Sequence, residues 1–126
     1  MKVATNRFDT VLLVENEALI ALDLEEMLLT AGARNVHHTV SSRDALDWLD
    51  RETADVAILD LFVSDGSSAP VAARLRGLGT PYVIYSGHTH DSAPDATAFG
   101  SAIWLPKPCT QSELLQAIER SLGLSA

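Results

Sequence analysis

Four stretches of the 126-residue sequence place reactive side chains at matching positions. VLLVENE (11–17) runs four apolar residues into Glu15, Asn16 and Glu17, VAIL (56–59) runs into Asp60, YVIY (82–85) into Ser86, and AIWL (102–105) is followed by Pro106 and Lys107. Each group stands just behind a run fit for a buried strand, so in one sheet they would share a rim. Carboxylates hold a hard cation such as Mg²⁺ through oxygen, while a hydroxyl and an ammonium grip phosphoryl oxygens. Cation and ammonium together would neutralise the charge that builds up as a phosphoryl group is transferred. Singly, each residue has a plainer reading: an acid after a strand caps a turn, a serine forms one, and a lysine sits in water. The set is what points to a site, and Lys107 sharpens it because the only other lysine, Lys2, lies in the N-terminal tail.

The elements that must position these groups follow from the apolar pattern. Strands are expected at 11–14, 56–59, 82–85 and 102–105, with a weaker candidate at NVHHTV (35–40). Such continuous runs suit strands covered on both faces, and the segments between them read as helices. In the first, Ile20, Leu24, Met27, Leu28 and Ala31 form one stripe, Asp23, Glu26 and Thr30 face away, and Gly32 ends it. A second starts at Ser41 or Ser42 and carries Ala45, Leu46 and Leu49. The third has Ser67 or Ser68 as cap, Pro70 in its first turn, Leu75 and Leu78 inward, and Gly79 as stop. The last opens on TQSE (110–113), a capping box, and presents Leu114, Leu115, Ile118 and Leu122. Between them, 90–100 is expected to hold a short, poorly anchored fourth helix. Five βα units imply an α/β fold, a doubly wound parallel sheet with ligands outside the carboxyl ends of the strands where strand order reverses.

Composition narrows the function. The chain is read as one domain, 1–126, with 1–9 as a tail and no output domain. A formal charge of −8 without a basic run argues against gripping DNA or an anionic membrane. One cysteine, Cys109, excludes an internal disulfide, and no leader-like or membrane-spanning apolar run is found, so a cytoplasmic protein is expected. Cys109 reads as a small filler, Trp48 as helix packing, and SGHTH (86–90) as too sparse in ligands for a transition-metal site.

VLLVENE, VAILDL, VIYSG and LPKP, at this spacing, resemble the receiver domain of two-component response regulators over nearly the whole chain. The stretch ENEALIALDLEEML is further similar to a group of small alphaproteobacterial receivers. The resemblance implies a flavodoxin-like (βα)5 sheet of order 2-1-3-4-5. It implies that Asp60 accepts a phosphoryl group from a histidine kinase or phosphotransfer protein. Glu15, Asn16, Asp60 and the Phe62 carbonyl would help bind Mg²⁺, and Lys107 and the Ser86 hydroxyl would meet the aspartyl phosphate. Trp104 would be the aromatic switch that follows Ser86, with Phe62 and His88 beside the route of attacking water. A cis Lys107–Pro108 bond would aim the ammonium. Such a chain assists its own phosphorylation and dephosphorylation without being an enzyme in the usual sense, and acts by binding a downstream protein target.

Two positions depart from that pattern. Asn16 replaces the usual second aspartate, which bears on metal affinity, and Phe62, Val63 and Ser64 replace a more polar, proline-bearing loop. The alternative is a receiver-like binding module that no longer uses phosphate. An aspartyl hydrolase of the haloacid dehalogenase type would need an aspartate where Phe62 stands. A flavin carrier would need a phosphate-cradling loop where ENEA stands.

Overall fold

The computed structural model describes residues 8–87 and 96–123. The four apolar runs are strands β1 (Thr10–Val14), β3 (Val56–Leu59), β6 (Tyr82–Ser86) and β7 (Ile103–Pro106), and the weaker candidate is the largely exposed strand β2 (Asn35–Thr39). They form one parallel sheet in the order β2-β1-β3-β6-β7. Counted as five, that is 2-1-3-4-5, the order that the resemblance implies. Two further two-residue strands, β4 (Phe62–Val63) and β5 (Gly66–Ser67), pair antiparallel as a hairpin that the apolar pattern did not announce.

Side chains alternate across the sheet and so make two cores. Val11, Leu13, Ile58 and Val83 meet α1 (Ala18–Thr30) and α4 (Gln111–Ser121) through Leu24, Leu28, Leu114 and Ile118. On the other face Leu12, Val14, Leu59 and Ile84 meet α2 (Ser42–Leu49) and α3 (Ala69–Leu78) through Ala45, Trp48, Val71 and Leu75. Each fully buried Leu or Ile contributes about 1.5–3 kcal/mol of transfer free energy, so the central strands anchor the rim above them.

Helix ends follow their capping residues. Ser41 caps α2 by accepting from the Asp44 N–H at 3.0 Å. Thr110 and Glu113 make the reciprocal box on α4, at 3.1 and 2.8 Å. Gly79 ends α3 in the left-handed region at φ 73°. Leu78, expected inward, is 51% exposed: Val71, Ala72 and Leu75 supply the buried stripe, and Leu78 falls in the last turn before the chain swings away at Gly79. Of the span 90–100, expected to hold a fourth helix, residues 90–95 lie outside the described residues and the remainder holds a 3-10 turn, Ala96–Phe99. It is well anchored, because Phe99 is buried and its carbonyl accepts the Tyr82 hydroxyl at 2.6 Å. Trp48 packs in the core as expected, and His37 stacks on it at 4.9 Å.

Candidate functional site

β1 has β2 on one side and β3 on the other, so the chain leaves its tip in one direction and returns on the other, which makes this the strand-order reversal where ligands of such sheets sit. Glu15 and Asp60 follow directly on the paired residues Val14 and Leu59. Both are fixed by backbone bonds, Glu15 N–H to the Thr39 carbonyl at 3.0 Å and Asp60 N–H to the Val14 carbonyl at 2.9 Å. The two carboxylates therefore stand side by side by sheet register alone.

Lys107 reaches this pair from the far edge of the sheet. Its N–H donates to the Ser86 carbonyl at 2.9 Å, which extends the β6–β7 ladder one step, and the Lys107–Pro108 peptide is cis, as expected. Its Nζ lies 3.1 Å from Glu15 Oε1 and 3.0 Å from Asp60 Oδ2. The ammonium also stands 5.4 Å from the centre of the Tyr85 ring, which offers it a π face.

The remaining carboxylate oxygens are aimed by backbone. Asp60 Oδ1 accepts from the Leu61 N–H at 2.8 Å and Glu15 Oε2 from the Glu17 N–H at 3.0 Å. Glu15 is only 1% exposed. Burial and the charge of Asp60 push its carboxyl above the usual range, although the Glu17 N–H and Lys107 pull the other way. Burial pulls the Lys107 ammonium down, but Asp60 and Glu15 outweigh it and hold the ammonium above its ordinary value. The cluster is thus a buried acid, a second acid and one shared cation, with one negative charge in excess.

Ser86 ends β6, buried, on the sheet face of Ile84. Since Leu59 pairs with Ile84, the register puts Ser86 level with Leu61, one residue past Asp60. Trp104 pairs with Ile84 across β6 and β7, lies on that same face, and meets Phe99 edge-on at 6.3 Å. Asn16 and Phe62 are both exposed at the rim. His88 lies outside the described residues, as does most of SGHTH.

Two carboxylates with excess negative charge suit a hard divalent cation, and Asn16, next in the chain to Glu15, and Phe62, two residues after Asp60, each carry a further oxygen that could ligate it. Among the described residues no further His, Cys, Asp or Glu joins these two acids in a metal-binding group. Cys109 is half-buried, burial pushes its thiol up, and its backbone N–H donates to the Tyr85 hydroxyl at 3.2 Å.

Three contributors escaped the sequence reading. The Ser68 hydroxyl, read as a helix cap, instead donates to the carbonyls of Asp60 and Leu61 and fixes the chain beyond the acid. His38 donates from Nε2 to the Glu15 carbonyl at 2.6 Å. Asp65, at the tip of the β4–β5 hairpin, accepts from the Ser42 and Arg43 N–H groups. Only Ser68 carried any signal, as one of two candidate caps.

The sequence model of the response regulator receiver domain matches residues 11–119. The transcriptional regulatory protein PdtaR of Mycobacterium tuberculosis is 30% identical over 115 residues, 90% of this chain and 56% of that protein, so the chain spans about half of its relative's length. The solution structure of SdrG from Sphingomonas melonis Fr1 superposes with a TM-score of 0.80 at 30% identity, covering 94% of this chain and 99% of that one. The receiver domain of the sensor histidine kinase PA1611 from Pseudomonas aeruginosa PAO1, solved with a magnesium ion in its active-site cleft, shares the fold. It superposes with a TM-score of 0.77 over 91% of this chain and 98% of that one, at 21% identity.

Proposed function

We propose, for a chain that belongs to the response regulator receiver domain family, that it is a phosphoacceptor switch in which Asp60 takes a phosphoryl group from a histidine kinase or phosphotransfer protein. One observation carries this reading: the Lys107 ammonium is held at 3.0 and 3.1 Å between Asp60 and the buried Glu15, at the strand-order reversal. A carboxylate oxygen of Asp60 attacks phosphorus as the bond to the donor's imidazole nitrogen breaks. Asp60 is aimed for this by the Leu61 N–H and by the Ser68 hydroxyl on its own carbonyl. Lys107 then exchanges its bond to the carboxylate for one to the phosphoryl oxygens, and the Ser86 hydroxyl donates to another. Glu15, Asn16, Asp60 and the Phe62 carbonyl would hold Mg²⁺, which neutralises charge on the transferring group.

Two surfaces serve the switch, one for its output and one for its donor. The Ser86 hydroxyl, drawn towards the phosphate, vacates space on the sheet face it shares with Trp104, and the indole follows. For the donor, the outer face of α1 offers Leu19 at 83% and Leu22 at 64% exposure, beginning two turns or less from Asn16. Phe62 and His88 flank the approach of water to the phosphate. The family role is signalling by such a switch; among the described residues no helix is long and apolar enough to cross a membrane. Residues 1–126 act as one receiver unit, in the cytoplasm, on a protein target.

The test is phosphorylation by acetyl phosphate with and without Mg²⁺, followed by intact-protein mass, with Asp60→Asn as control. Mg²⁺-dependent labelling lost in Asp60→Asn is expected. Label that persists on Asp60→Asn would overturn the assignment, and no label on the wild type would favour the phosphate-independent binding module.

A further inference from the structure

The hairpin that follows Asp60 has only two residues per strand, too few to hold its own shape in water. Its geometry must come from what it is tied to. At its base, Ser68 bonds the Asp60 and Leu61 carbonyls through its hydroxyl and the Leu61 carbonyl again, at 2.9 Å, through its N–H. Along its length the Ser64 N–H donates to the Val40 carbonyl at 2.9 Å, and the Ser42 hydroxyl to the Ser67 carbonyl at 3.1 Å. At its tip the Asp65 carboxylate spreads over the start of α2, Oδ1 on the Ser42 N–H at 2.8 Å and Oδ2 on the Arg43 N–H at 3.0 Å.

These two N–H groups are helix-end donors with no partner inside α2, and Ser41 already serves a third, on Asp44. The helix thus has two caps from different places, one local and one brought by the hairpin. The amides hold the Asp65 carboxyl below the usual carboxylate range, so it is ionised at neutral pH and the bonds are charge-assisted.

We propose that Asp65 is a positioning residue of the phosphoacceptor site: by clamping the hairpin tip to α2 it holds the Phe62 carbonyl at the place the cation requires, while touching neither cation nor phosphate. The inference rests on the function proposed above. It goes further by assigning the placement of the hairpin tip to one carboxylate outside the cluster.

The experiment is calorimetric titration of Mg²⁺ into the wild type, Asp65→Ala, Asp65→Asn and Ser41→Ala, in low salt and in about 0.5 M KCl, with a thermal melt of each. Asp65→Ala should weaken Mg²⁺ by about fivefold or more, and Asp65→Asn, which keeps one acceptor oxygen, should fall between it and the wild type. Ser41→Ala removes the other cap of the same helix, so it should lower the melting temperature yet leave Mg²⁺ affinity within about twofold. The Asp65 effect should survive high salt, because it is geometry and not long-range charge. Unchanged affinity in Asp65→Ala, an equal loss in Ser41→Ala, or an effect that vanishes in salt would each overturn the clamp. If Asp65→Ala does not fold, Asp65→Asn decides alone. A wild type that binds no Mg²⁺ would overturn the function itself and the clamp with it.

Discussion

Asn16→Asp tests the charge logic of the site most directly. The change adds a carboxylate at the exposed tip of β1, next to Glu15, where the cluster already holds two acids and one ammonium. Two unit charges about 5 Å apart in water interact by about 0.8 kcal/mol, so a carboxylate there gains about 1.7 kcal/mol against a divalent ion, roughly fifteenfold in affinity. The water value is appropriate because Asn16 is exposed. Without metal the same carboxylate is repelled by Glu15 and Asp60 and attracted by Lys107, a net cost of about 0.8 kcal/mol, or about 3 °C in melting temperature. Calorimetric titration of Mg²⁺ measures the first effect and thermal melts in chelator the second. Both should shrink in high salt. Equal Mg²⁺ affinities would show that position 16 is not beside the ion and would refute the argument.

The other expectations concern the cation, the phenol and the core. Lys107→Met leaves two acids facing each other, one of them buried, and should cost about 2–4 kcal/mol at neutral pH in chelator, measured by urea unfolding. Because the Glu15 carboxyl is already pushed up and loses a cation, stability of this variant should recover as pH falls and Glu15 takes its proton; a flat acid profile would count against a charge origin. Burial pushes the Tyr85 phenol up to about 12, so between pH 10 and 12 the unfolded chain releases that proton first, and stability present below 10 is lost as pH rises. Tyr85→Phe should make the alkaline decline shallower, and identical slopes would refute it. Leu28→Ala empties a fully buried position between α1 and the sheet and should cost about 2–5 kcal/mol; a loss under about 1 kcal/mol would mean that the helix closes over the gap.

The parts of this fold that were legible were those where one local cause decides. Four apolar runs too short for helices became the four central and outer strands, and NVHHTV, weaker because His37 and His38 are exposed, became the edge strand β2. Gly79 and the Thr110–Glu113 box set helix ends by backbone conformation and by reciprocal hydrogen bonds, both local. The site was legible for the same reason: Glu15, Asp60, Ser86 and Lys107 each end an apolar run, and parallel pairing carries such ends to one rim. What stayed hidden depends on partners far along the chain. FVSDGS offers only two strand-forming residues, Phe62 and Val63, before its turn, and the hairpin exists because Val40, Ser42 and Arg43 supply its hydrogen bonds. Ser68 could be read as a helix cap, but its hydroxyl answers to the carbonyls at the end of β3 instead. That Lys107 bridges both acids, across 92 and 47 residues, required the register of all five strands.

The same register gives the amide at position 16 a reason beyond metal affinity. On the proposed function, the cluster of Glu15, Asp60 and Lys107 carries one excess negative charge at rest. A divalent ion leaves it one positive charge in excess, and replacing the carboxylate of Asp60 by an aspartyl phosphate adds about one negative charge at neutral pH, which brings the set near neutrality. With aspartate at position 16 the neutral point would instead fall on the metal-bound, unphosphorylated state. Where Glu15 is almost fully withdrawn from water, net charge is costly in any state that carries it. Asn16 therefore shifts the electrostatic balance from the loaded site towards the phosphorylated one, weakening the hold on the cation at rest while lowering the relative free energy of the aspartyl phosphate.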